Sequence, residues 1–373
     1  MRFTINREEF LKSLTIATKA TLGKNPLPIF SNLKLSVKHE GLEILGSNGE
    51  LVISTFLPSK VEEKEVIRNI QEGEILVNSK IITEIVRKIE GEEISFDVVD
   101  ETAIQIEDGK SNFQLNSIRA EEYPDVEFGD NGVSFQIKAD DLNQLVEQTA
   151  FAASFKEQRG VLTALNLAIE NGELVATATD SARLSKKKME VESSETISVN
   201  IVSKTISDIV KLFEGQEVVE ITFESRKAIF RSSNVTVSTT LLNGDYPQTK
   251  NLVPKNFSYY LKANAQELIN AMERVSLLSG ERENVVKLSM SDDGVEVMAK
   301  SSQTGSAKEK LENVEYEGEK LNISFNSLYV IAAIKALKSE NVTIAFVGEM
   351  KPFVIRNDQD DTIVELVTPV RTY

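Results

Sequence analysis

Residues 75–91 read ILVNSKIITEIVRKIEG, an apolar strand pattern followed by apolar residues at helical spacing. The same pattern returns in residues 201–215, IVSKTISDIVKLFEG, and in residues 324–339, SFNSLYVIAAIKALKS. The copies end at positions 91, 215 and 339, so each lies 124 residues after the one before. Solenoid repeats run roughly 20–50 residues. A period this long therefore indicates whole domains that have been duplicated.

The apolar residues of each copy fall at i, i+3, i+4 and i+7, which is one face of a helix. A strand with alternating apolar residues, such as 93–97, follows each helix. We expect these helices to pack one face on a sheet. The matched sets are Ile82, Ile85, Val86 and Ile89; Ile206, Ile209, Val210 and Phe213; and Val330, Ala333, Ile334 and Leu337.

A second helix pattern occurs earlier in each copy, directly after a short strand pattern. Each repeat thus reads strand, helix and several strands, twice over, which is typical of the α+β class with a layer of helices on a layer of sheet. We expect three duplicated domains, at residues 1–128, 129–253 and 254–373. The matched helix faces are Phe10, Leu14 and Ala17; Leu142, Val146 and Thr149; and Leu268, Met272 and Val275.

The residue inventory excludes several classes of site. The 373 residues include no cysteine and one histidine, His39, so disulfides, thiolate metal sites and multi-histidine metal sites are ruled out. No glycine-rich phosphate-binding motif is present. We interpret His39 as an exposed turn residue, and NDQDD at 357–361 as a hairpin turn rather than a cation site.

The chain begins without the apolar core of a signal peptide, and no apolar run approaches about 18 residues. We therefore expect a cytoplasmic protein with no membrane partner. Because the motifs of nucleotide, metal and nucleophilic chemistry are missing, we also expect a protein that is not an enzyme and uses no cofactor.

The charge distribution is more informative than its sum. A net charge of −16, from 42 basic and 58 acidic residues, argues against a general affinity for nucleic acid. Yet the 124-residue offset superimposes Arg87, Lys211 and Lys335 on one helix position. It also superimposes Lys80 on Lys204. These cations predict a basic track that contacts phosphates irrespective of sequence; the alternative is an ordinary solvated helix face.

Four phrases, in order along the chain, carry a resemblance to a known family. They are MRFTI at 1–5, NPLPIFSNL at 25–33, ATDSARL at 178–184 and TPVR at 368–371. Together with the triple repeat, they make the chain similar to the bacterial DNA polymerase sliding clamps, the beta subunit of DNA polymerase III. The resemblance covers the whole chain.

The resemblance implies a head-to-tail homodimeric ring of the DNA-clamp fold, with helices lining the inside and antiparallel sheets outside. Duplex DNA passes through the ring, which tethers the catalytic subunit of the replicative DNA polymerase and is opened by a clamp loader. Other replication and repair proteins with a clamp-binding motif would share the same site. The protein itself would be a non-catalytic processivity subunit.

Carried over position by position, the resemblance assigns three sets of residues. The DNA-binding set is Lys24, Lys80, Lys156, Arg159 and Lys204. The partner-peptide pocket is Leu162, Thr179, Ser181, Arg183, Leu184, Pro247, Leu252, Pro369, Val370 and Arg371. The dimer interface set is Phe113, Leu277 and Leu278.

Each set has a simpler alternative. The lysines and Arg159 could be ordinary turn or loop residues, and the leucines could belong to the core. The chain also departs from the family at two points, with Ser181-Ala182 where Gly-His is common and Thr368 where an apolar residue is common. Two rival functions stay open: a protein-binding scaffold of three α+β domains without a DNA role, and a hydrolase that uses acidic residues.

Overall fold

The computed structural model describes residues 1–23, 26–100, 102–129, 131–280 and 284–371. Lys24, one of the expected DNA-binding residues, lies outside these ranges. Within them, six α-helices are present: α1 (Arg7–Thr18), α2 (Ser79–Lys88), α3 (Ala139–Glu147), α4 (Ser203–Val210), α5 (Ala265–Ser276) and α6 (Ser327–Leu337). Short 3-10 helices include Ala150–Ala152, Glu157–Thr163 and Lys211–Phe213.

The strands of the first repeat are β1 (Arg2–Asn6), β2 (Asn32–Lys38), β3 (Gly41–Ser47), β4 (Leu51–Pro58), β5 (Lys60–Val61), β6 (Lys64–Glu65), β7 (Ile67–Gln71), β8 (Gly73–Asn78), β9 (Glu93–Asp100), β10 (Ala103–Glu107) and β11 (Asn112–Asn116). Those of the second are β12 (Val133–Lys138), β13 (Ala164–Glu170), β14 (Glu173–Thr179), β15 (Arg183–Glu190), β16 (Ile197–Val202), β17 (Val218–Phe223), β18 (Lys227–Ser232) and β19 (Val235–Thr240). Those of the third are β20 (Tyr259–Asn264), β21 (Val285–Ser291), β22 (Gly294–Ser301), β23 (Gly305–Leu311), β24 (Glu315–Glu317), β25 (Leu321–Asn326), β26 (Asn341–Phe346), β27 (Phe353–Asn357) and β28 (Asp360–Val367).

The chain forms two compact units, one of Met1–Ala139 with Lys211–Leu241 and one of Asp140–Val210 with Leu242–Tyr373. The first unit holds a five-stranded sheet in the order β11-β10-β9-β1-β7 and an eight-stranded sheet in the order β12-β17-β18-β19-β4-β3-β2-β8. The second sheet runs from the first repeat into the second, because β19 pairs with β4 in antiparallel register. Helices α1 and α2 pack against each other in this unit. Its core includes Phe3, whose ring stacks on Phe96 at 4.8 Å between centroids.

The second unit holds a nine-stranded sheet in the order β16-β13-β14-β15-β28-β27-β26-β20-β24 and a four-stranded sheet in the order β23-β22-β21-β25. Here β15 of the second repeat pairs with β28 of the third, so the backbone ladder is again continuous between repeats. Helices α5 and α6 pack together, and Phe325, Phe346 and Phe353 are fully buried in the core of this unit.

The repeated helix faces are confirmed. Both helix sets of all three repeats bury their matched residues, apart from Ile85, which is half-buried; Ile89, Thr149 and Phe213 are buried just beyond the ends of α2, α3 and α4. Four helices begin at an asparagine whose side-chain oxygen accepts backbone N–H groups of the first turn: Asn6, Asn78, Asn264 and Asn326. Such caps satisfy donors that a helix start leaves unpaired, and they set where each helix begins.

Two interpretations of turns are also confirmed. His39 is exposed in the turn between β2 and β3, and residues 357–361 form a hairpin in which Asn357 pairs with Asp360. No group of three or more metal-ligating side chains occurs in the part of the chain that the structure describes. In the same ranges no helix is both long enough and apolar enough to cross a membrane.

Candidate peptide pocket and nucleic-acid surface

The three cations that repeat at one position, late in α2 and α6 and directly after α4, all have interaction partners. Arg87 is paired with Glu84, and the Lys335 ammonium lies 3.2 Å from the Glu273 carboxylate. Lys211 also has a partner. These side chains are exposed, as expected, but the charges of Arg87 and Lys335 are balanced by neighbouring carboxylates. They contribute less to a basic surface than their spacing in the sequence indicates.

Lys80 and Lys204 differ from that set. Each is the second residue of its helix, α2 or α4, and each side chain is exposed. Neither has an ion-pair partner among the described residues. Their charge adds to the positive end of the helix dipole, which makes both helix starts attractive to an anion. The geometry therefore favours these two lysines as phosphate contacts.

Of the other two expected DNA-binding residues, Lys156 directly precedes the 3-10 helix Glu157–Thr163 and Arg159 lies within it. Lys156 is exposed, and it follows Phe155, whose side chain is 89% exposed. Arg159 is exposed but engaged: one guanidinium nitrogen donates to the Asp180 carbonyl at 3.0 Å and to the Ser181 hydroxyl at 2.7 Å. Arg159 thus joins this segment to the turn between β14 and β15.

That turn, Thr179–Arg183, is held by its own side chains. The Thr179 hydroxyl donates to the Arg183 carbonyl at 2.6 Å and accepts from the Ser181 N–H at 3.1 Å. The Asp180 carboxylate accepts from the Ala182 and Arg183 N–H groups at 2.9 and 3.1 Å. Ser181 has φ of 78°, in the left-handed region. A residue with a β-carbon is strained there, which explains why a glycine suits this position.

Tyr246 supports the turn from outside it. Its hydroxyl accepts a hydrogen bond from the Thr179 N–H at 2.9 Å. Burial raises the pKa of Tyr246 to about 12, so the hydroxyl is neutral at any physiological pH. Pro247, the next residue, is exposed. The linker before the third repeat therefore runs beside the turn and is hydrogen-bonded to its first residue, Thr179, through Tyr246.

Arg183 is the buried cation of the site. Its Nε donates to the Asp180 carboxylate at 3.1 Å, and its guanidinium lies 4.5 Å from the Tyr329 ring centroid and 5.4 Å from that of Phe151. An arginine between two aromatic rings and a carboxylate is held in one orientation. Phe151 and Tyr329 were not expected from the sequence. The signal available was that the 124-residue offset places Tyr329 with Ile81 and Thr205, so it is aromatic only in the third repeat.

The apolar residues of the pocket divide into a floor and an open surface. Leu184, 1% exposed, packs with Val354 and Leu366 in a small buried cluster. Leu252 and Val370 are 49% and 37% exposed. Leu184 is thus a buried floor residue, whereas Leu252 is open to solvent. Leu162 and Pro369 are half-buried, and Arg371 is exposed.

The segment that follows β28 is fastened beside the turn by Thr368 and Val370. The Thr368 N–H and hydroxyl both donate to the Ala182 carbonyl, at 2.9 and 2.8 Å, and the Val370 N–H donates to the Ser324 carbonyl at 2.7 Å. Thr368 thus uses a hydroxyl where the family often has an apolar side chain. Open apolar side chains with a fixed polar rim can bind a short peptide that carries apolar anchors.

The expected dimer residues lie at sheet edges and helix ends. Phe113 is half-buried on β11, the edge strand of the five-stranded sheet. Leu277, 79% exposed, and half-buried Leu278 follow α5 in the other unit, where β23 is an edge strand of the four-stranded sheet. Edge strands leave backbone groups free to pair with another chain, and an exposed leucine is suited to burial in an interface.

Comparison with known proteins assigns the family. The models of the DNA polymerase III beta subunit match in order: the N-terminal domain over residues 1–127, the central domain over 136–248 and the C-terminal domain over 250–371. The beta sliding clamp of Bacillus subtilis (strain 168) is 35% identical over 378 residues, and that of Staphylococcus aureus (strain N315) is 33% identical over 376. Each of these alignments covers 100% of both chains.

Solved structures agree with the sequence relatives. The crystal structure of the DNA polymerase sliding clamp from Bacillus subtilis has a TM-score of 0.96 at 34% identity. The DNA polymerase III beta chain from Streptococcus pneumoniae TIGR4 has a TM-score of 0.95 at 34% identity. Both comparisons cover 100% of each chain. The chain has the three-domain clamp fold and belongs to the beta sliding clamp family of DNA polymerase III beta subunits.

Proposed function

We propose that the protein is a non-catalytic DNA sliding clamp, a homodimeric ring that encircles duplex DNA and holds a DNA polymerase on it. The observation that carries this function is the full-length match to beta sliding clamps through all three repeats. We further propose residues 1–128, 129–253 and 254–373 as the three domains, with α-helices toward the DNA and sheets outside.

A ring also accounts for the charge. A protein of net charge −16 is repelled by DNA over most of its surface. A closed ring does not need tight binding, because it cannot leave circular DNA without opening. A few phosphate contacts then suffice, and weak contacts permit fast sliding. The exposed side chains of Lys80, Lys204 and Lys156 supply charge for these contacts. Arg159, also in the DNA-binding set, is hydrogen-bonded to Ser181 of the pocket set.

We propose that two protomers join head to tail, with the β11 edge of one beside the β23 edge of the other. Pairing of edge strands would continue each sheet through the interface. Phe113 of one protomer and Leu277 and Leu278 of the other would then bury their apolar surface. The exposed position of Leu277 supports this assignment, because its burial in a dimer would remove apolar surface from water, which is favourable.

The peptide pocket would receive short segments of partner proteins: the replicative polymerase, the clamp loader, and other replication and repair proteins with a clamp-binding motif. The open apolar side chains Leu252 and Val370 and the fixed guanidinium of Arg183 support this use. Because one pocket serves all partners, they would compete for it.

Primer extension tests the tethering function. On primed circular DNA with polymerase and loader, we expect the protein to lengthen the products made in a single binding event. A variant without residues 370–373 should fail to lengthen them, because it loses one wall of the pocket that the loader and the polymerase would both bind. Long products from that variant would contradict the pocket, and short products with the intact protein would contradict the function.

A further inference from the structure

A buried acid lies beneath the peptide pocket, outside every site described above. Glu365 on β28 is 1% exposed and stands opposite Ser185 on β15 in the strand register. The Ser185 hydroxyl oxygen is 2.7 Å from a carboxyl oxygen of Glu365 and 2.8 Å from the backbone carbonyl oxygen of Gln148. The side-chain amide of Gln148 donates to the Ala336 carbonyl at 2.6 Å. One polar chain thus links β28, β15, the segment after α3, and α6.

The number of protons available in this series of hydrogen bonds decides whether Glu365 is protonated or ionised. A serine hydroxyl carries one proton, and a carbonyl oxygen can only accept. If Ser185 donates to Gln148, the short contact with Glu365 is a hydrogen bond only when Glu365 carries a proton. An ionised Glu365 would leave two acceptors facing one donor inside the core, which is costly.

We infer that Glu365 is a neutral carboxylic acid in the folded protein and donates the hydrogen bond to Ser185 that fixes β15 against β28 under the peptide pocket. The first part stands on the buried geometry alone; the link to the pocket rests on the proposed function. Leu184, the pocket floor, precedes Ser185, and Thr368, which is hydrogen-bonded to Ala182, follows Glu365 by three residues.

No positive charge among the neighbours that the structure describes is placed to stabilise Glu365 in its ionised form. Burial raises its pKa well above the ordinary carboxyl range, and the opposing charge that acts on it, Arg183, is already paired with Asp180. Lys187, also buried on β15, lies 3.2 Å from the Thr362 hydroxyl and 3.5 Å from Asp360. The residue opposite on β27 is Ile355. The remaining nearby elements contribute Tyr329 and exposed Lys335 on α6, exposed Lys338 directly after it, exposed Glu147 at the end of α3, and exposed Asp361 on β28.

The sign of the pH dependence follows from the raised pKa. The unfolded chain releases the Glu365 proton at the ordinary carboxyl pKa, whereas the folded chain keeps it. The stabilisation is therefore complete below that ordinary pKa and is lost as pH rises toward the folded-state pKa. Between the unfolded-state and folded-state pKa values, the ionisation of Glu365 increases the equilibrium constant for unfolding about tenfold per pH unit.

Infrared difference spectroscopy of the full-length protein tests the protonation directly. We expect a carboxylic-acid C=O band at neutral pH in the wild type that is absent from Glu365→Gln and present in Glu317→Gln, a control on exposed β24. Absence of the band from the folded wild type would overturn the inference. This outcome does not depend on peptide binding.

Peptide binding and stability test the positioning role. A synthetic peptide with the clamp-binding segment of the organism's own polymerase should bind Glu365→Gln within about threefold of wild type, because the amide keeps a donor for Ser185. Ser185→Ala should bind it at least tenfold more weakly. From pH 6 to 8, the wild type should lose stability relative to Glu365→Gln, and parallel pH profiles would overturn the inference. Failure of every form to bind peptide would instead contradict the pocket while leaving the infrared result intact.

Discussion

Replacing Lys80 and Lys204 together with alanine will reduce the salt dependence of DNA binding and leave the fold unchanged. Both side chains are exposed at the second position of a helix and lack ion-pair partners among the described residues. Surface changes of this kind alter the free energy of unfolding by about 0.5 kcal/mol or less. Their removal even relieves an unfavourable interaction with the helix dipole.

The magnitude follows from counting phosphates. Each phosphate that a cation neutralises on duplex DNA contributes about 0.9 to the slope of log K against log salt concentration. Two lysines per chain therefore account for a slope of about 1.8 per chain, and twice that in a dimer if all of them touch the duplex. Arg87, Lys211 and Lys335 already have interaction partners, so their replacement should change the slope less.

Fluorescence anisotropy of a labelled linear duplex, titrated at several low salt concentrations, measures this slope without topological linkage. The matched control is Lys287→Ala, which removes an exposed strand lysine without an ion-pair partner among the described residues. We expect the control to keep the wild-type slope. An unchanged slope in the double variant, or an equal reduction in the control, would refute the assignment of Lys80 and Lys204.

Variants at Ser181, Leu184 and Leu277 test the pocket and the dimer. Ser181→Gly should be more stable than Ser181→Ala by about 1 kcal/mol in thermal unfolding, since both lose the hydroxyl and only glycine relaxes the positive φ; equal stability would contradict the strain. Leu184→Ala should lower the free energy of unfolding by about 2–5 kcal/mol and abolish peptide binding with the dimer intact; wild-type peptide affinity by calorimetry would remove Leu184 from the pocket. Leu277→Glu should produce monomers in analytical ultracentrifugation, whereas Val61→Glu, also at an exposed apolar residue, should not; a dimeric Leu277→Glu would exclude this interface.

Local patterns predicted the repeated elements because each helix had to bury a face of fixed periodicity. The 124-residue offset therefore located the helices in all three copies, and alternation located the strands that flank them. Pairing between distant strands leaves no such pattern. The ladders between β19 and β4, and between β15 and β28, join segments that are remote in sequence.

The site was predictable only in part, for a similar reason. The resemblance supplied Arg183 and Leu184, but nothing local indicated that Phe151 and Tyr329 hold the guanidinium. Position alone also failed to show that Lys335 is paired with Glu273, which lies on another helix. Glu365 could not be distinguished among 58 acidic residues, since its burial depends on the β15–β28 ladder.

Retention on DNA of two shapes tests the central claim most directly. The protein is loaded onto nicked circular plasmid with its loader and ATP and passed through a sizing column, and half of the sample is then cut once. We predict that it elutes with the circles and is lost from the cut DNA, because a ring slides off a free end. Equal retention on circular and cut DNA, or none on either with an active loader, would contradict a sliding clamp.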